Sequence, residues 1–235
     1  MMLRFVSLYR RKDWKREKEM DGFMKKVLYV TANPKSVQYS SSLTAGKEFL
    51  DTYRELYPSH LITELDLFSI DLPNIDNVVF SAWEKLQSGV TFTELNMQEQ
   101  AKVLRMNELV DQFIESDYYI FVTPMWNFGF PSKLKDYIDT ISIAGKTFKF
   151  TDTGPVGLLE NKKCLHIHAR GGVYSEGPAV ESDFADRYLR TITRFLGITD
   201  YHSVVIEGAA LMPLRAEEIL LKGKQDAKQA AVNMG

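Results

Sequence analysis

Three short segments of the chain hold side chains fit for more than packing. Residues 31–42 read Thr-Ala-Asn-Pro-Lys-Ser-Val-Gln-Tyr-Ser-Ser-Ser and run into a helical pattern. Hydroxyls and unpaired backbone N–H groups at a helix N-terminus favour an anion such as phosphate, because the dipole and the free donors act together. The same serines also suit an N-cap with no ligand, and this segment alone does not separate the two. Residues 123–131, Thr-Pro-Met-Trp-Asn-Phe-Gly-Phe-Pro, place aromatic and amide groups directly after a buried apolar run. Such a cluster is costly unless it is packed or bound. Residues 169–178, Ala-Arg-Gly-Gly-Val-Tyr-Ser-Glu-Gly-Pro, pair two glycines, through which a backbone can approach a flat ring closely. A glycine-rich turn is the plainer reading.

Other chemistries find little support. No Gly-x-Gly-x-x-Gly and no Gly-x4-Gly-Lys-Ser/Thr occurs in the first segment, which disfavours a Rossmann-type dinucleotide fold and a P-loop. His60, His166, His168 and His202 are scattered or strand-borne, with no metal-ligand cluster and no Ser-His-Asp pattern. His166 and His168 share one strand face, where core packing is the expectation.

The elements that must carry the three segments alternate. Residues 27–30, 61–65, 118–122, 164–168 and 203–206 are short runs rich in β-formers, as expected of strands covered on both faces. Between them, residues 42–57, 96–116, 131–143 and 181–196 carry helical spacing, and a last helix fills 216–231. Asn96 with Glu99 marks a helix start, and Pro131 a first-turn proline. Residues 67–95 read as a long loop opened by Pro73 and Asn74. Five strands alternating with helices predict an α/β fold, a doubly wound parallel sheet of flavodoxin-like type with helices on both faces. In such sheets ligands bind beyond the carboxyl ends of the strands at the switch point, so the three segments fall where a site belongs.

Composition sets limits. At 235 residues, 45% hydrophobic and 26% charged, the chain suits one globular domain over 25–235, and no apolar run is long enough to span a membrane. The first twenty residues hold seven Lys/Arg against three Asp/Glu, leaving 22 against 28 in the rest. That mildly acidic body argues against a nucleic-acid groove. Residues 1–24 read as a basic extension outside the core, disordered or the product of a start assigned too far upstream. The single cysteine, Cys164, excludes an intrachain disulfide and suits a reducing cytoplasm.

Pro-Met-Trp-Asn-Phe at 124–128 closely resembles the Pro-Met-Tyr-Asn-Phe segment of the FMN-dependent NADH-azoreductase and quinone reductase family, and Ala-Arg-Gly-Gly at 169–172 its Ser-Arg-Gly-Gly loop. Residues 144–151 and 154–158 are similar to that family as well, so the resemblance spans about 25–234. It implies non-covalent FMN, NADH or NADPH as donor, a quinone or azo acceptor, ping-pong turnover, and a homodimer with the active site at its interface. It assigns Asn33, Ser40, Ser41 and Ser42 to the phosphate and ribityl end. Pro124, Met125, Trp126, Asn127 and Phe128 would line the isoalloxazine, with Asn127 bonding its edge. Ala169, Arg170, Gly171 and Gly172 would form the second wall, with the two glycines donating N–H groups near the pyrimidine carbonyls, where negative charge builds on reduction. Tyr174 would be a catalytic hydrogen-bond donor. Two departures stand out: Asn33 where some relatives have Ser, and Ala169 where they have Ser. The apolar 67–95 segment is expected to cover the partner's flavin. A flavodoxin-like electron carrier and a non-catalytic interaction protein of the same fold are the competing expectations.

Overall fold

The computed structural model describes residues 24–234, so the expectation for the N-terminal extension falls almost wholly outside the described residues. Five strands, β1 (Lys26–Thr31), β2 (Leu61–Asp66), β3 (Tyr118–Pro124), β6 (Lys163–Arg170) and β7 (Asp200–Glu207), form one parallel sheet in the order β2-β1-β3-β6-β7. The doubly wound flavodoxin-like fold is therefore present. β1 has β2 on one side and β3 on the other, so the chain reverses direction across the sheet at β1. The loops after β1 and β3 diverge there and leave a crevice.

Side chains alternate across the central strands and feed two cores. Leu28, Val30, Tyr119, Phe121 and Cys164 face α3 (Met97–Glu115), α4 (Ser132–Ile141) and α5 (Phe184–Phe195). Val27, Tyr29, Ile120, Val122, Leu165 and Ile167 face α1 (Ser41–Leu56) and α6 (Ala216–Met234). The near-continuous apolar sequence of β3, buried over six of its seven residues, follows from this cover on both faces. α1 lies especially close to the sheet at Gly46. A Cβ there would stand 2.5 Å from the Tyr29 hydroxyl and 2.8 Å from Val122 Cγ1. The close approach sets the N-terminus of α1 at the crevice.

Two elements differ from the sequence expectation. Residues 67–95 are not a plain loop, because Asn77–Gln87 forms a helix, α2. Asp76 caps it, accepting from the N–H groups of Val78 (3.1 Å) and Val79 (3.2 Å). Only Val79 and Ala82 of this helix are buried, so its apolar stripe is too narrow to stand out in the sequence. The second is a hairpin of β4 (Phe148–Thr151) and β5 (Gly154–Gly157), outside the main sheet. No helix of the described residues is long and apolar enough to cross a membrane.

Candidate active site

A cleft of about 270 Å³ opens beyond the carboxyl ends of β1, β3, β6 and β7. Asn33, Ser40, Ser41 and Ser42 form one end, and Pro124, Met125 and Trp126 one wall. Ala169, Arg170 and Gly171 form the other. Asn127, Phe128, Gly172 and Tyr174 are not part of its lining. Lys35, Tyr39, Ile206 and Ala209 are, and the sequence reading had not singled them out. The first two lie inside the serine segment already noted. The other two follow from β7, whose carboxyl end reaches the same crevice.

At the serine end the hydrogen bonds have a direction. Asn33 Nδ2 donates to Ser40 Oγ at 2.8 Å, while Asn33 Oδ1 accepts from the Lys35 N–H at 3.1 Å. Ser40 is the N-cap of α1 and also accepts from the Leu43 N–H at 3.3 Å. Both lone pairs of Ser40 are thus engaged, so its own hydrogen goes to Ser42 Oγ at 3.1 Å. Ser42, fully buried at the edge of the cleft, is then left with a hydrogen that has no acceptor among the described residues. The first turn of α1 holds no acidic residue, and exposed Lys35 adds a positive charge. This donor set suits a phosphate. The N-cap and anion-site readings of the serines are therefore compatible: Ser40 caps, and Ser42 keeps an uncommitted hydrogen at the edge of the cleft.

The wall after β3 is a tight turn. Trp126 and Gly129 exchange backbone hydrogen bonds of 2.8 and 2.9 Å, and both central residues have positive φ, Asn127 at 48° and Phe128 at 67°. Two positive φ values define a type I′ turn, which asparagine tolerates. For phenylalanine the conformation costs about 1–3 kcal/mol and persists only where the surroundings fix it. Here the Met125 N–H donates to the Ala169 carbonyl (2.7 Å) and the Phe184 N–H to the Phe128 carbonyl (3.0 Å). The strain holds two large aromatics in the open, Trp126 at 41% and Phe128 at 51% exposure. Trp126 meets Phe68 edge-on, and Phe128 meets Tyr174.

The glycine wall is fixed from below. Arg170 is buried, its guanidinium paired with Asp183 and, at 2.9 Å, with Glu207. The side chain is committed to the protein, so what the residue offers the cleft is its backbone. Gly172 lies against the Tyr174 ring, where a Cβ would come within 3.0 Å of Cε2.

Behind β6 lies a second polar cluster. His166 and His168 are both buried, on one face, with rings stacked 4.2 Å apart and 10° from parallel. His166 bonds Asp186 Oδ1 (3.1 Å) and Thr123 Oγ1 (2.9 Å). Burial would raise the Asp186 carboxyl, but His166, Ser203 and Tyr201 outweigh it and hold it well below the usual carboxylate range. One ligand atom from each of His166, His168 and Asp186 lies within 4.8 Å of the others. Nearly parallel rings, however, cannot aim both in-plane lone pairs at one point, and Asp186 Oδ1 already accepts from His166, Tyr201 and Ser203. The arrangement is a packed network rather than a metal centre.

Residues 25–231 match the family model described as flavodoxin-like fold, the class that the sheet order and the crevice also define. The chain is 52% identical over 208 residues to the FMN-dependent NADH:quinone oxidoreductase of Geobacillus kaustophilus (strain HTA426), covering 88% of this chain and 99% of that protein. It is 50% identical over 212 residues to the protein of the same description from Bacillus pumilus (strain SAFR-032), covering 90% and 99%. The crystal structure of an FMN-dependent NADH-azoreductase from Bacillus anthracis str. Ames Ancestor in complex with FMN superposes with a TM-score of 0.84 at 39% identity. The match covers 89% of this chain and 99% of that one. The chain belongs to the family of FMN-dependent NADH:quinone oxidoreductases and NADH-azoreductases.

Proposed function

We propose that this protein binds FMN non-covalently and transfers electrons from NADH or NADPH to quinones and azo compounds, in two half-reactions at one site. The observation that carries this reading is the convergence of three unlike donor surfaces on one crevice. A directed hydroxyl chain ends on Ser42, a strained turn displays aromatics, and a glycine loop offers backbone. A phosphate, a flat ring and a polar ring edge are what these surfaces match in turn. The cleft, at about 270 Å³, is small for a whole ligand of this size, so part of it extends over Trp126 and Phe128. FMN supplies the two-electron chemistry when bound. The chain's own residues bind and orient it. Ser42 and the first N–H groups of α1 hold the phosphate, Met125 and Trp126 flank the ring, Asn127 bonds its edge, and Gly171 and Gly172 offer N–H groups where charge builds.

A second copy of the chain completes this open site. α2 turns Phe80 to solvent at 55% exposure, with Trp83 edge-on to it, and this apolar face suits the role of covering the partner's flavin. Steady-state NADH oxidation with a soluble benzoquinone tests the reading. Two half-reactions at one site give parallel double-reciprocal lines as quinone is varied. Intersecting lines would contradict the ping-pong scheme, and FMN binding without turnover would favour an electron carrier.

Tyr174 is the proposed donor to the reduced ring or to the acceptor oxygen. Its ring is half-buried against Arg170 and Phe128, so it is held in place at the rim. Tyr174→Phe keeps that packing and removes only the hydroxyl. We expect quinone reduction to slow by about ten- to a hundredfold, up to the lower limit of what general acid catalysis contributes. An unchanged rate would leave the tyrosine a packing role alone.

A further inference from the structure

Glu207 is the last residue of β7, more than thirty positions from the glycine loop in sequence, and it faces Arg170 across the β6–β7 ladder. One of its oxygens, Oε2, accepts from Arg170 Nε (2.9 Å), the Tyr174 N–H (2.8 Å) and the Ser175 N–H (3.2 Å), while Oε1 accepts from Ser175 Oγ. The loop that turns away from β6 is therefore pinned by one carboxylate at two consecutive backbone groups. The next residues add to the hold: the Gly208 N–H donates to the Gly172 carbonyl (3.1 Å) and the Ala210 N–H to the Gly171 carbonyl (3.0 Å). Arg170 in turn binds Asp183, which caps α5. Burial alone would raise the Glu207 carboxyl, yet the Ser175 hydroxyl, the Tyr174 N–H and Arg170 together hold it below the ordinary value.

We propose that Glu207 is a positioning residue for the ring end of the cofactor site, acting through its grip on residues 171–175. This rests on the FMN reading above. Glu207 does not line the cleft, and its reach, not its charge, is what fixes Tyr174 and Ser175, the residues that close the loop begun by Gly171 and Gly172. Two substitutions separate the two properties. Glu207→Gln keeps the length and an oxygen at the Oε2 position, and its amide can donate to Ser175 Oγ, so all the contacts survive without the charge. Glu207→Asp keeps the charge but draws the carboxylate back by one methylene, about 1.5 Å, beyond reach of the Tyr174 N–H.

The test is titration of apoprotein with FMN and with riboflavin, which lacks the phosphate. For Glu207→Asp we expect both dissociation constants to rise alike, about tenfold, as when a hydrogen-bonded anchor is lost. Glu207→Gln should stay within about threefold of the unmodified protein for both ligands. A role in charge alone predicts the opposite order. Three results would overturn the inference: Asp binding as tightly as unmodified, Gln binding more weakly than Asp, or Asp weakening FMN while riboflavin is untouched. Failure of the unmodified protein to bind FMN would remove the FMN reading and this inference with it.

Discussion

Ser42→Ala is expected to weaken FMN binding by about ten- to a hundredfold while leaving riboflavin binding within about twofold. The magnitude follows from a charge-assisted hydrogen bond of about 1.5–3 kcal/mol. Ser42 ends a donor chain that starts at Asn33 and passes through Ser40, so its hydrogen is the one left without an acceptor among the described residues. Ser40→Ala should have a similar effect by a different route. It breaks the chain and removes the α1 N-cap, at a separate cost of about 1 kcal/mol of stability. Because the two serines act as one chain, the double substitution should cost less than the sum of the single ones. Isothermal titration of apoprotein with each ligand reads this directly. Equal losses for FMN and riboflavin would place the serines away from the phosphate and contradict the assignment.

His168 should make the apoprotein lose stability as pH falls below about 6.5. Burial disfavours its charged form and neighbouring His166 adds to this, so its pKa lies well below the ordinary value. Neither ring nitrogen has a hydrogen-bond partner among the described residues, and Asp186 Oδ1 is 3.9 Å from Nε2, too far for one. The titratable and charged groups facing it are His166 and Arg170 on its own strand and Asp186 on α5. The sign follows from linkage. Below about pH 6.5 the unfolded chain takes up a proton that the folded chain refuses, so stability falls by about 1.4 kcal/mol per pH unit until the folded pKa is reached. Above 6.5 this residue contributes no slope. His168→Leu removes the titration, and its repacking cost is the same at both pH values and so cancels in the comparison. Compared by urea unfolding at equal protein concentration, the variant should gain about 2 kcal/mol on the unmodified protein between pH 7.5 and pH 5. Parallel pH dependence of the two would show that His168 is protonated in the folded state or finds a partner there.

Much of this architecture is legible in the sequence because its signals are local. The β3 run is apolar throughout since both faces are covered, and Asn96 with Glu99 forms the capping box that starts α3. The three site segments announce themselves by composition. What escapes is set by distance along the chain. Glu207 is an ordinary glutamate at the end of a strand, and only the pairing of β6 with β7 brings it under the glycine loop. Asp186 is equally silent until α5 packs over His166. α2 was hidden because two buried residues do not make a readable stripe. The direction of the Asn33–Ser40–Ser42 chain requires atomic positions, although all three residues could be named from the sequence.

The identity of the released cofactor bears most directly on the proposal that these three loops form an FMN site. The purified protein, reconstituted with FMN if colourless, is denatured and its supernatant chromatographed against flavin standards. We expect a yellow protein that releases one species co-eluting with FMN. Release of FAD, or no bound flavin after reconstitution, would contradict the proposed function.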